Sequence, residues 1–134
     1  MILVDTSVWV QHLRKGDDRL RSLLIEGQVL CHPFIVGEIA CGALRNRREI
    51  LSLLAALPPA PMAEHEEVLG LIESRRLHGR GIGWIDAHLI TSALLSRSPL
   101  WTLDGKLGSV ASSLGISYDS VPAPSRRGHS TTTT

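Results

Sequence analysis

Apolar and polar positions alternate along this chain in blocks. The first block, MILV, runs directly into Asp5. An unbroken apolar run marks a strand buried on both faces, so residues 2–4 read as a first strand. Residues 6–14 place Val8, Trp9, Val10 and Leu13 in a helix that Gly16, Asp17 and Asp18 break. RLRSLLIEG repeats the helical spacing with Leu20, Leu23 and Leu24 and stops at Gly27. QVLCH reads as a second strand. Pro33 then opens a helix to about residue 45, because proline suits the first helical position. REILSLLAAL (48–57) predicts another helix, and PPAPM (58–62) a proline-rich connection. AEHEEVLGLIESRRLHG (63–79) is helical and closed by Gly79, GRGIG is a loop, and WIDAHLITSALLS is helical. LWTLD repeats the opening pattern, apolar residues and then an aspartate, and reads as a strand. KLGSVASSLG predicts a last short helix and ISYD a final strand.

Strands separated by one or more helices predict an α/β protein: a three-layer α/β/α domain with a small parallel sheet of four or five strands. The 134 residues suit one domain, placed at 1–121. Residues 122–134 carry almost no apolar surface and read as a disordered tail. The N-terminal apolar run lacks a basic leader and meets Asp5 too early to be a signal peptide. No run reaches the roughly 18 apolar residues of a membrane span. Two cysteines, Cys31 and Cys41, make no disulfide framework, which points to the reducing cytoplasm; both are expected as small core residues. A net charge of +1 does not by itself announce a nucleic-acid binder, so any such role would rest on local patches.

Four acids stand out by position. Asp5 and Asp104 each end an apolar run, at the sheet edge where open α/β folds bind ligands. Glu38 borders the Ile35 and Ile39 stripe of its helix, and Asp86 shares a face with Leu89, Ile90, Ala93 and Leu94. Each has a bland reading: Asp5 as a helix cap, Asp86 as a first-turn acid favoured by the helix dipole, Asp104-Gly105 as a turn, Glu38 as a surface residue. Gathered together they would repel unless a cation compensated, and oxygen ligands suit Mg²⁺ or Mn²⁺. Such a metal polarises a phosphoryl oxygen and activates water.

MILVDTSVWV, PFIVGEIACG, GIGWIDAHLITSAL and LWTLDGKL, in this order, resemble a PIN-domain ribonuclease, specifically a VapC-type toxin of a type II toxin–antitoxin system. The resemblance covers residues 1–119. It implies a PIN-like fold, with Asp5, Glu38, Asp86 and Asp104 as catalytic and metal-holding acids and Thr6, Ser7 and Thr102 as the hydroxyls beside them. It also implies a structured RNA substrate, a VapB-like antitoxin and a homodimer. Hydrolysis by activated water would leave 5′-phosphate and 3′-hydroxyl ends.

Two other readings compete: a PIN-like RNA- or protein-binding module without activity, and an aspartate-nucleophile phosphatase. The phosphatase needs a second aspartate two residues after the first, where Ser7 stands. No HExxH or paired Cys/His spacing suggests zinc. His88 lies two residues after Asp86, off its helix face, and is expected at the surface or an interface. Basic residues cluster at Arg14, Lys15, Arg19 and Arg21, at Arg45, Arg47 and Arg48, and at Arg75, Arg76 and Arg80. Each cluster can be a solvated helix face or part of an RNA groove. Trp9, Trp84 and Trp101 read first as core or interface anchors, with base stacking open to Trp9 and Trp84.

Overall fold

The computed structural model describes residues 1–120. The expected tail at 122–134 lies outside the described residues. Three parallel strands, β1 (Ile2–Val4), β2 (Val29–Leu30) and β3 (Leu100–Trp101), lie in the order β2-β1-β3. Leu3 pairs with Leu30 on one side and Leu100 on the other. Leu3 and Val4 are fully buried, as a central strand covered on both faces requires.

The sheet therefore has three strands among the described residues, not four or five. Each edge carries one further bridge: Cys31 to Pro59 beyond β2, and Leu100 to Ser117 beyond β3. Pro59 offers no amide hydrogen, so that edge does not extend. On the other edge, the expected ISYD strand gives way to a 3₁₀ turn, Tyr118–Ser120.

Among the described residues seven helices surround the sheet: α1 (Thr6–Lys15), α2 (Asp18–Ile25), α3 (Pro33–Ala40), α4 (Arg47–Ala55), α5 (His65–Ser74), α6 (Trp84–Ser96) and α7 (Gly105–Ser113). All seven were legible, but two end early. In α3 the Gly42 amide turns back to the Ile39 carbonyl (3.1 Å), which closes the helix well before residue 45. In α5 Arg76 takes a left-handed φ of 55°, and the Leu77 amide reaches the Ile72 carbonyl at 2.9 Å. This helix end buries Leu77 to 1% exposure, so the chain turns inward before Gly79.

Residues 87 to 93 of α6 are all buried. The helix runs through the core rather than along it with one wet face. His88 is therefore buried, not superficial, although it lies across the helix from Asp86. Trp9 and Trp101 are core residues; Trp84 stays 39% exposed, edge-on to His88 and tilted against His65. Cys31 is buried but Cys41 is exposed, and both are free thiols, so only one is the core residue expected. No helix among the described residues is long and apolar enough to cross a membrane.

Candidate metal centre

Because the strands are parallel, the residues that follow them meet at one edge: Asp5 after β1, His32 after β2, Asp104 after β3. The helices α1, α3 and α7 begin at the same edge. The Asp5 amide continues the ladder by donating to the Trp101 carbonyl (2.9 Å). That bond fixes Asp5 beside Thr102.

Asp5 is 6% exposed, a carboxylate that burial would penalise without partners. It stands at the cap position of α1, yet its side chain does not cap the helix. Instead Oδ2 accepts from Thr102 Oγ1 (2.7 Å) and Ser7 Oγ (2.8 Å). Those hydroxyls are held in turn: Ser7 Oγ accepts the Leu103 amide (2.9 Å) and Thr102 Oγ1 the Asp104 amide (3.0 Å). Ser7 thus stands where a phosphatase would carry its second aspartate, and spends its hydroxyl on Asp5.

Thr6 Oγ1 donates to Glu38 Oε1 at 2.5 Å and ties α3 to the start of α1. Asp104, expected in a turn with Gly105, instead caps α7: its Oδ1 accepts the Lys106 and Leu107 amides (2.9 and 3.0 Å), and Gly105 is already helical. Asp86 Oδ2 accepts the Gly83 amide (3.1 Å) in the first turn of α6. Capping leaves Asp86 Oδ1 and Asp104 Oδ2 free of hydrogen bonds to the described residues, so capping and ligation do not exclude each other. Burial raises the Asp86 pKa above the ordinary carboxylate value, and the charges of Asp5 and Asp104 raise it further; the Gly83 amide opposes the shift.

The structure thus links Asp5, Thr6, Ser7, Glu38, Thr102 and Asp104 through short hydrogen bonds and one turn of backbone, and sets Asp86 in the field of Asp5 and Asp104. The donors are all hard oxygens and their charges repel, which suits a hard divalent cation. Among the described residues no three acidic, imidazole or thiol side chains stand close enough to form a ready-made cage.

One residue at this edge escaped the sequence reading. His32 is fully buried, and its Nδ1 accepts the Phe34 amide (2.9 Å) to cap α3. Its ring lies 6.4 Å from that of His88, with Phe34 against both. Burial, and then the neighbouring His88, push its pKa down to about 4. The signal was present: His32 ends the apolar run VLC as Asp5 ends MILV.

The sequence model of the PIN domain matches residues 2–112. The chain belongs to the PIN-domain family. Among curated relatives, Ribonuclease VapC32 of Mycobacterium tuberculosis is 46% identical over 117 residues, spanning 87% of this chain and 94% of the relative. The same protein from a second strain matches equally. This PIN domain is thus a VapC homologue. Its fold is shared with a chain of FitAcB from Neisseria gonorrhoeae (TM-score 0.59, 19% identity, 84% of this chain and 94% of that one). A chain of FitAB bound to a DNA fragment is similar at a TM-score of 0.57 and 20% identity, over 84% of this chain and 91% of that one.

Proposed function

We propose that this PIN domain is a toxin of a toxin–antitoxin pair that acts in the cytoplasm as an endoribonuclease dependent on Mg²⁺ or Mn²⁺. Its substrate is structured RNA, and a VapB-like antitoxin restrains it. The observation that carries the reading is the buried Asp5 carboxylate, held by two hydroxyls beside Asp86 and Asp104. Asp5, Glu38, Asp86 and Asp104 would hold the cation. When bound, the cation supplies Lewis acidity toward a phosphoryl oxygen and toward water. The protein's own part is orientation. Thr102 and Ser7 fix the Asp5 carboxylate, and Thr6 fixes Glu38, so that the carboxylates would present one geometry to the cation. A water oxygen bonds to phosphorus, the bond to the 3′ oxygen breaks, and the products carry 5′-phosphate and 3′-hydroxyl ends.

The 46% identity to a protein named as a ribonuclease supports the activity. Homodimerisation and antitoxin binding belong to the same reading. The test is incubation of the purified chain with cellular RNA, with Mn²⁺ or with chelator, followed by sequencing of both kinds of end. Cleavage confined to the Mn²⁺ sample, with 5′-phosphate ends, is expected. Cleavage insensitive to chelator, or cyclic phosphate ends, would remove the metal from the mechanism. Co-expression with a candidate VapB-like antitoxin should yield a complex without activity.

A further inference from the structure

An acidic centre repels the phosphates it is meant to cut, so cations must hold the nucleic-acid backbone close by. The sequence offered three basic clusters without a choice between them. The structure separates them. In the first, Arg21 is paired with Asp18. Arg19 lies 4.4 Å over the Trp101 ring and pairs with Asp119 at 3.4 Å. In the second, Arg47 reaches the Gly42 carbonyl at 3.4 Å.

Arg80 is tied to α7, the helix that Asp104 caps. It sits in the loop that leads into α6 and Asp86, and its guanidinium crosses to α7, donating to Ser113 Oγ (3.2 Å) and Ser109 Oγ (3.5 Å). Hydroxyls hold it in place without cancelling its charge. Among the described residues no carboxylate forms an ion pair with it. Lys106 follows Asp104 by two residues, and its stem lies against Gly81 of the same loop. A Cβ built on Gly81 would stand 2.6 Å from Lys106 Cδ and 3.3 Å from its Nζ. Gly81 has a φ of +83°, so the absent side chain serves both the loop's turn and the lysine's seat. Lys106 too has no ion-pair partner among the described residues, and it is exposed.

Helical rise places these cations relative to the acids. Ser109 and Ser113 lie five and nine residues beyond Asp104, about 7.5 and 13.5 Å along α7 at roughly 1.5 Å per residue. One cation therefore stands at the capped end of α7 beside Asp104, and the other further along the same helix.

We propose that Arg80 and Lys106 form a phosphate-binding rail that grips the RNA backbone next to the bond being cut. The proposal rests on the nuclease reading above and deepens it. Contacts of this kind position a strand without reading its bases, so the rail would set affinity and register rather than sequence preference.

Steady-state cleavage of a short RNA hairpin, cut in its single-stranded loop by the full chain with Mn²⁺, at several salt concentrations, tests it. Arg80→Gln and Lys106→Gln should each raise KM several-fold. Each should also flatten the dependence of log(kcat/KM) on log[salt] by about 0.7, the value for one lost phosphate contact on a single strand. Arg80→Lys should restore the slope. Arg45→Gln, which removes an exposed charge from the second cluster, should leave KM and slope unchanged. If Arg80→Gln and Lys106→Gln keep the parent KM and slope, the rail is overturned. It is equally overturned if Arg80→Gln lowers only kcat or the melting temperature, because Arg80 then serves as a clamp on α7. If the unsubstituted chain cleaves no RNA, the nuclease reading falls first and the rail with it.

Discussion

Thr102 donates its hydroxyl hydrogen to Asp5 Oδ2 over 2.7 Å, although 97 positions separate the two residues. Thr102 Oγ1 itself accepts the Asp104 amide at 3.0 Å, so one side chain joins two acids that follow different strands. Replacing it tests whether that link matters. Thr102→Val keeps the shape and removes both bonds, which should cost about 1–3 kcal/mol of stability. Metal affinity should fall roughly 10–100-fold, the usual effect of losing a hydrogen bond that orients a ligand. Thermal melting and Mn²⁺ titration calorimetry give the two values; undiminished Mn²⁺ affinity would show the hydroxyl to be a bystander.

Asp5→Asn removes a charge and preserves size and the ability to accept from Thr102. Metal-dependent cleavage should disappear while the melting temperature stays within a few degrees of the parent. Full activity in a preparation free of contaminating nuclease would take Asp5 out of the site.

His32 makes stability depend on pH. Unfolded, it protonates near 6.5; folded, burial and His88 hold it to about 4. The neutral ring, whose Nδ1 accepts the Phe34 amide, is the form the fold requires. Its contribution is therefore complete above pH 6.5 and is lost as pH falls from 6.5 through about 4, where the unfolded chain binds a proton that the folded one refuses. His32→Asn keeps a capping acceptor and cannot titrate in this range. Its melting temperature should fall less steeply than the parent's between these two pH values. Parallel profiles would place the titration elsewhere.

Gly81→Ala puts a methyl group into the space of the Lys106 stem, at a φ that side chains rarely adopt. Strain of about 1 kcal/mol should lower the melting temperature by a few degrees. The displaced lysine should raise KM for RNA in the manner of Lys106→Gln. An unchanged KM in the folded variant would separate the lysine's position from substrate binding.

Much of this architecture was local information. An apolar run that stops at a carboxylate can be seen in ten residues, and both MILVD and LWTLD turned out to be strands ending at the same edge. The start of α3 was legible because proline's preference for the first helical position is short-range, whereas Asp17, read only as a break, also caps α2. Helix ends were less so, because α5 stops where Leu77 finds the core, which depends on what packs there. Strand number also escaped, since pairing is a property of two segments and Pro59 and Ser117 supply only one bridge each.

For the site, sequence alone singled out the four acids and their hydroxyl neighbours by position and family likeness. It could not show that Asp104 and Asp86 also cap helices, that Asp5 does not, or that Thr6 reaches Glu38. His88 shows the reason most plainly. Helical periodicity put it opposite the Asp86 face and so at the surface or an interface, yet α6 is enclosed on both faces and the histidine is 5% exposed. Periodicity reports which residues share a face; only the packed chain decides whether a second layer covers the other one. The same holds for charge. Composition counted Arg19, Arg21 and Arg80 alike, and tertiary contacts alone gave the first two carboxylate partners and the third a pair of serines, because Coulomb and hydrogen-bond energies depend on distances that sequence order does not contain.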